Sequence, residues 1–317
     1  MGTAGQASTA NAVLSDEELA GELRSLKKWT LATYILIPAA FTVPFALLWI
    51  LFLNEMFAAG IVSGAGGFVL ALTIGVYASK RGAKLKELMG NTLTLPMLCE
   101  IFEVKEYSPL KYISADLVKA AGLIDDWERI SGSDFFEGKY NGINVMYSDL
   151  QLERLEIERD KNGKEQRRYV TVFKGQWLVC DFGKELAASV RLTPRKGGTK
   201  RFRKYDVSKS DVETENAAFN KKYRIITYDG HTAFYLLTPH FMEQLAAADE
   251  AADASTLFCF KDGKVHIALY SGRDSFELNG VKIDSVDNVR RKFRRELKYM
   301  TDIIDELLRN DRLFKQV

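Results

Sequence analysis

Two stretches decide how this chain is organised: Trp29–Leu53, WTLATYILIPAAFTVPFALLWILFL, and Ile61–Ala78, IVSGAGGFVLALTIGVYA. Neither contains an Asp, Glu, Lys, Arg or His. A helix needs about 20 mostly apolar residues to cross roughly 30 Å of hydrocarbon. The first stretch has that length with room for tilt. The second reaches it when Ala58–Gly60 are counted, so a transmembrane hairpin is expected over 29–53 and 58–78. Pro38 and Pro44 each remove a backbone donor and are expected to kink the first span, which a bilayer tolerates where neighbours satisfy the freed carbonyls. In the second span Gly60 and Gly64, Ser63 and Gly67, and Ala71 and Gly75 are each four apart, a spacing that lets helix backbones approach closely. Gly60, Gly64 and Gly67 are therefore the candidate helix-packing residues. They would serve either the hairpin's own first helix or a homo-oligomer formed through the hairpin.

The flanking charges give the orientation. Arg24, Lys27 and Lys28 precede the pair, Lys80, Arg81, Lys84 and Lys86 follow it, and the turn Asn54–Gly60 carries Glu55 and no cation. By the positive-inside rule both termini are expected in the cytoplasm, and Trp29, Trp49 and Tyr77 fall near span ends, where aromatic belts occur. Working outward, Met1–Leu14 has no core-forming pattern and is expected as a disordered tail. Residues 15–28 are expected as a juxtamembrane amphipathic helix, with Ser15 as N-cap and Glu18 closing a capping box. Residues 79–129 are expected as a helical stalk. An apolar stripe through Leu85, Leu88, Leu93, Met97 and Ile101 is interrupted near Pro96, and a short helix Ala115–Ala121 lies between Ser114 as cap and Gly122 as stop.

From Ile130 the pattern changes to strands. Asn141-Gly142, Lys161-Asn162-Gly163, Lys174-Gly175, Asp229-Gly230 and Asp262-Gly263 are expected as tight turns. Around them lie strand candidates at Leu150–Ile157, Arg168–Phe173, Gln176–Phe182, Tyr223–Tyr228, His231–Leu237, Thr256–Phe260 and Val265–Tyr270. Asp211–Phe219 is expected as a helix, as is the stretch begun by Thr238-Pro239, with Pro at the first helical position. Val286 to about Arg309 is expected as a long amphipathic helix. The fold class is therefore α+β: a two-helix transmembrane hairpin, a helical stalk, and a cytoplasmic antiparallel sheet domain with flanking helices over 130–317.

By Ile130–Leu155, ISGSDFFEGKYNGINVMYSDLQLERL, the chain resembles a bacterial family of two-pass membrane proteins known as domain of unknown function 3137. The likeness continues through TVFKGQWLVCDF at Thr171–Phe182, FYLLTPHFMEQL at Phe234–Leu245, the hairpin that follows and the last helix ending ELLRND. It does not extend to the basic segment Arg195–Lys204. The resemblance implies a bacterial inner-membrane protein with a cytoplasmic α+β domain. The family has no established activity, so it supplies no catalytic residues.

Composition and motifs exclude more than they assign. Lys+Arg 44 against Asp+Glu 42 gives no charge excess that would imply nucleic acid. Cys99, Cys180 and Cys259 are too few and too scattered for a disulfide framework or a zinc site and are expected as buried free thiols. There is no Walker loop, Rossmann glycine pattern or HExxH. Of the three histidines, His231 with Asp229 and Glu243 is the one conceivable catalytic or metal cluster, against His240 at a helix start and His266 in a strand. Cys180-Asp181 lacks a nucleophile-elbow context. Asp125, Asp126 and Asp134 surround Ser131-Gly132-Ser133, read as a capped turn with a possible cation role. No catalytic residue, metal ligand or cofactor is assigned.

Two basic segments stand out. Arg195, Lys196, Lys200, Arg201, Arg203 and Lys204 lie in one loop and are the candidate contacts to anionic lipid headgroups, since each such cation near an anionic leaflet contributes about 1 kcal/mol. Arg290, Arg291, Lys292, Arg294, Arg295 and Lys298 open the last helix, with Glu296, Asp302 and Asp305 nearby, as a solvated charged face would have. The expected role is a membrane-tethered binding or scaffolding module whose partners are the bilayer and an unidentified protein, not nucleic acid. The alternative is a membrane-anchored enzyme of unrecognised type.

Overall fold

Turn chemistry explains much of the sheet in the computed structural model, which describes residues 16–53, 57–159, 165–195, 211–251, 255–276 and 286–309. Asn141 and Gly142 both have positive φ (47° and 83°), as do Asp262 and Gly263 (52° and 68°). Two consecutive left-handed residues make the turn whose twist matches antiparallel strands. The first turn joins β2 (Arg129–Tyr140) to β3 (Ile143–Arg159), and the second joins β8 (Ser255–Lys261) to β9 (Lys264–Tyr270).

The chain divides into two units, Met1–Lys86 with Leu278–Arg291, and Glu87–Glu277 with Lys292–Val317. The first unit holds α1 (Asp16–Leu53) and most of α2 (Phe57–Met89). Pro38 and Pro44 lie inside α1, and the stretch expected as a separate juxtamembrane helix is continuous with it from Asp16. Within the apolar stretches large side chains point outward: Ile35, Val43, Phe45, Trp49, Leu53, Phe68, Val69 and Val76 are all more than half exposed, whereas Leu19 and Leu23, ahead of them, are buried. The buried residues described within those stretches are small: Ala40, Gly67 and Ala71. Gly67 faces α1 so closely that a Cβ there would lie 2.2 Å from Pro44 Cγ. Among the described residues no helix is long and apolar enough to cross a membrane, so those residues alone do not carry the expected transmembrane hairpin. Side chains at 29–31, 33–34, 37, 41, 51–52 and 58–64, within the two apolar stretches, lie outside the described residues.

The second unit is built on one nine-stranded sheet, antiparallel throughout, in the order β1-β2-β3-β4-β9-β8-β5-β7-β6. After α2 a π-helical turn, Gly90–Thr94, leads into α3 (Leu95–Ile101), and then β1 (Glu103–Ser108) forms an edge of the sheet. The stretch 79–129 is thus not helical throughout. α4 (Ala115–Ala121) is capped as its sequence dictates: Ser114 Oγ accepts from Leu117 N, and Gly122 closes it at φ 57°. With Trp127 it covers one sheet face, where Leu150, Leu152, Phe173, Trp177, Leu257 and Ala268 form the core. On the other face α7 (Pro239–Ala251) packs Phe241 against Phe260, and Phe293 of α8 (Val286–Leu308) meets Phe276.

Four local expectations are corrected. The pair Lys174-Gly175 is not a turn but lies inside the single strand β4 (Glu165–Asp181). Gly175 is there because a Cβ would sit 2.0 Å from the Leu269 carbonyl oxygen of β9. Asp229-Gly230 is not a hairpin turn either. Asp229 caps α6 (Gly230–Leu236), accepting from His231 N, Thr232 N and the Thr232 hydroxyl, so His231–Leu237 is not a strand. In place of a helix over Asp211–Phe219, β6 (Asp211–Val212) pairs with β7 (Tyr223–Ile226), and α5 (Ala217–Lys222) starts only after Asn216, whose side chain accepts from Phe219 N. Ser131-Gly132-Ser133 lies in β2 against Leu150, and the register shift follows at Ser133, with Asp134 at φ 57°.

Candidate functional site

The candidate chemistry is dispersed. Asp229, the acid of the suggested His231 cluster, is committed to the α6 cap, and the hydrogen bond from Thr232 first, then those from the His231 and Thr232 amides, hold its carboxyl below the usual range. His231 and His240 are exposed, as is Glu243. Among the described residues no group of three or more His, Cys, Asp or Glu is placed to hold a metal ion. Cys180 and Asp181 are successive residues of β4 and so point to opposite faces. Cys180 is buried, and desolvation pushes its thiol far above the ordinary value. Cys259 is likewise buried, with its thiol raised by burial to about 11. Cys99, by contrast with the expectation, is exposed.

His266 is the histidine in the core. It lies in β9 opposite Val179 and Cys259, 4% exposed, with its ring 6.4 Å from that of Trp177. Its Nδ1 and the Trp177 indole nitrogen are both buried without a hydrogen-bond partner. Desolvation, helped by Lys264 and Lys261, depresses its pKa to about 4. The ring is therefore neutral at pH 7 and is a packing element. Sequence reasoning placed it in a strand but could not see what covers it.

Two carboxylates, the buried Asp149 and the half-buried Glu296, serve as backbone acceptors. Tyr147 donates to Asp149 Oδ1 at 3.0 Å, and Ser275 N donates to Asp149 Oδ2 at 2.7 Å. Phe276 N donates to Glu296 Oε2 at 2.9 Å, and burial raises the Glu296 pKa. Phe276 itself is held at φ 51°. These bonds tie the segment after β9 to β3 and α8, and they explain why Asp149 is tolerated in a dry interior. An open groove of about 600 Å³ runs over the β1–β4 end of the sheet, lined by Glu103, Lys105, Glu137, Lys139, Asn144 and Asp181. Lys105 and Glu137 are paired across it at 2.5 Å. Among the described residues that line it there is no nucleophile beside a base, and the groove is open rather than enclosed.

The two basic segments separate on inspection. Of the loop cations, Lys196, Lys200, Arg201, Arg203 and Lys204 lie outside the described residues. Arg195 is half-buried, donates from Nε to the Tyr223 carbonyl and approaches Glu213 at 3.9 Å. Of the packing candidates, Gly60 and Gly64 have no described surroundings, and Gly67 meets Pro44 as given above. On α8, Arg290 pairs with Asp16 (2.9 and 3.0 Å) and Lys292 with Glu296 (3.5 Å). Arg291, Arg294, Arg295 and Lys298 are exposed.

Residues 171–309 match the family described as protein of unknown function (DUF3137). They belong to that family. The DUF3137 region begins at Thr171, where β4 pairs with Glu153, and takes in every element from there to α8. The helices α1 and α2 and the strands β1 to β3 precede it. No curated protein matches the chain. Among solved structures, the crystal structure of the mycobacterial trehalose monomycolate transport factor A, TtfA, is similar at 12% identity and a TM-score of 0.33, covering 68% of this chain and 90% of that one. A superposition that loose carries no functional argument.

Proposed function

We propose that the chain is a membrane-tethered binding or scaffolding module, with Trp29–Leu53 and residues 58–78 as an inserted hairpin and both termini on the cytoplasmic side of the inner membrane. The observation that supports this reading is the inverted packing of α1 and α2. In water a helix pair buries its large apolar side chains; here the small residues Ala40, Gly67 and Ala71 are inside and Val43, Phe45, Trp49, Phe68 and Val69 are outside. Lipid makes that arrangement favourable, because helices in a bilayer associate through close backbone approach rather than through apolar burial. A soluble monomer rarely exposes so large an apolar surface. The flanking cations set the orientation. The sheet domain then serves to bind a protein partner, with the basic loop Arg195–Lys204 near lipid headgroups and the small-residue face available for pairing of copies.

The test is alkaline extraction of native membranes, followed by protease protection of N- and C-terminal tags in sealed spheroplasts. Retention in the pellet with both tags protected is the expected result. Release by alkali into the supernatant sinks the hairpin reading, and digestion of either tag sinks the orientation.

A further inference from the structure

The last helix carries a charge pattern that its own stability does not explain. In α8 the exposed cations Arg291, Arg294, Arg295 and Lys298 are spaced three, four and seven apart, which places them on one face. Arg290 with Arg294, Arg291 with Arg295, and Arg294 with Lys298 are like-charged neighbours at i and i+4, each of which destabilises a helix. At the other end Asp305 and Glu306 lie in the last turn, against the preference of the helix dipole, with Arg309 just beyond the helix paired to Glu306. The opposite face needs none of this, for Val289, Phe293, Leu297, Ile304 and Leu307 are buried there. Ion pairs within the chain engage part of the cluster: Arg290 holds Asp16, and Lys292 holds Glu296. Lys298 has Asp302 four residues on at 2.7 Å. A local concentration of charge that costs helix stability, on a face turned to solvent, is what an anionic ligand surface would reward.

We propose that this stripe of α8 docks on the anionic phospholipid headgroups of the membrane in which the chain is inserted. The inference rests on the hairpin reading given above. Within the first unit, the Arg290–Asp16 ion pair fixes the start of α8 beside the start of α1. Asp16 is 13 residues before Trp29, the first residue of the apolar stretch, a helical distance of about 20 Å. On the hairpin reading the chain that carries the stripe is tethered covalently to a bilayer, so no recruitment from solution is needed. Each cation near an anionic leaflet shifts the docked-to-undocked ratio about fivefold, so Arg294, Arg295 and Lys298 together shift it on the order of 100-fold, and salt screens the effect.

The experiment uses the full chain in proteoliposomes. Asp302→Cys in a Cys99→Ser background provides one exposed thiol for a donor dye at the end of the stripe, Cys180 and Cys259 being buried. Energy transfer to a headgroup-labelled lipid is compared between vesicles of phosphatidylcholine alone and vesicles with about a third phosphatidylglycerol. The expected result is transfer at least twofold higher in the anionic vesicles at low salt. That difference disappears at high salt and in the triple variant Arg294→Gln, Arg295→Gln, Lys298→Gln. Equal transfer in the two vesicles, or a difference that survives the triple substitution, overturns the proposal. So does binding of a DNA duplex that depends on the same three residues while lipid composition has no effect. Alkaline extraction of the same vesicles separates the two readings: a chain that resists extraction but shows equal transfer loses the stripe alone, and a chain that alkali strips off loses the hairpin as well.

Discussion

Acidification from pH 7 to pH 4.5 is expected to weaken the sheet domain through His266 specifically. The folded ring is neutral and 4% exposed, and its pKa is depressed from 6.5 to about 4, chiefly by burial and further by Lys264 and Lys261, with Asp262 acting weakly in the other direction. As pH falls below 6.5 the unfolded chain takes up a proton that the folded chain refuses, so stability falls until the folded ring also titrates near pH 4. Each tenfold drop in proton affinity on folding is worth about 1.4 kcal/mol, so the full loss is about 3 kcal/mol, a large share of the roughly 5–15 kcal/mol that holds a typical domain together. The assay is urea denaturation in a neutral detergent at pH values between 7.5 and 4.5, followed by tryptophan emission, for which the adjacent Trp177 is a reporter. The variants His266→Gln and His266→Leu carry no titrating ring. Subtracting their pH profiles removes the contribution of all other groups, including the carboxyls of Asp229 and Asp16, whose lowered pKa values also cause loss in acid. A wild-type slope between pH 6.5 and pH 4.5 equal to that of both variants would refute the burial argument.

Three further outcomes follow from close approaches and capping, and a fourth from burial. Gly175→Ala forces a methyl to within 2.0 Å of the Leu269 carbonyl oxygen and is expected to destabilise the sheet by more than about 3 kcal/mol, as strain at a crowded backbone does; a melting temperature within a few degrees of wild type would contradict it. Gly67→Val is expected to splay α1 from α2, because even the Cβ would meet Pro44 at 2.2 Å; limited proteolysis of the helix pair in detergent should then be faster, and an unchanged cleavage rate counts against the packing. Ser114→Ala removes the acceptor for Leu117 N and is expected to cost about 1 kcal/mol, the usual value for a lost N-cap, read as a shift in urea midpoint. A thiol reagent should label Cys99 at once in the folded protein and reach Cys180 and Cys259 only on unfolding; fast triple labelling at neutral pH would show that the core is not as closed as described.

What could be read from the sequence was whatever depends on a few adjacent residues. Asn141-Gly142 and Asp262-Gly263 make left-handed turns between strands, and Ser114 with Gly122 brackets a helix by the same local chemistry. The same dipeptide type failed at Asp229-Gly230. There the Asp carboxylate found three donors in the next turn, and Gly230 kept an ordinary φ, so a helix cap prevailed over a hairpin. Lys174-Gly175 failed for a non-local reason. Its glycine is required by the Leu269 carbonyl of a strand far along the chain, and nothing in the neighbouring residues says so. Ser131-Gly132-Ser133 carried turn composition into a strand because Leu150 and the Asp149 carbonyl press against Gly132. The hairpin's apolar stretches, the small-residue spacing and the basic start of α8 were visible as patterns. Which cations reach an acid within the chain, and which way the stripe faces, required the fold.

The helix pair α1–α2 and the helix α8 depart from ordinary packing in opposite ways. α1 and α2 turn Val43, Phe45, Trp49 and Phe68 outward and bury Ala40 and Ala71, which water penalises and a hydrocarbon phase does not. α8 buries its apolar face correctly but gathers cations on the exposed one, which water tolerates only at a cost in helix stability and an anionic surface favours. On the function proposed above, a bilayer with anionic headgroups would satisfy both at once: its interior would accept the outward apolar side chains, and its surface the arginines. A protein partner could cover either face, but it would have to supply an apolar groove for one and an acidic patch for the other. Within the first unit the Arg290–Asp16 ion pair fastens the start of α8 to the start of α1. Reversing it as Asp16→Arg with Arg290→Asp should preserve the lipid response of the stripe, whereas Arg290→Asp alone should weaken it. If both variants respond to lipid alike, the ion pair has no part in placing the helix.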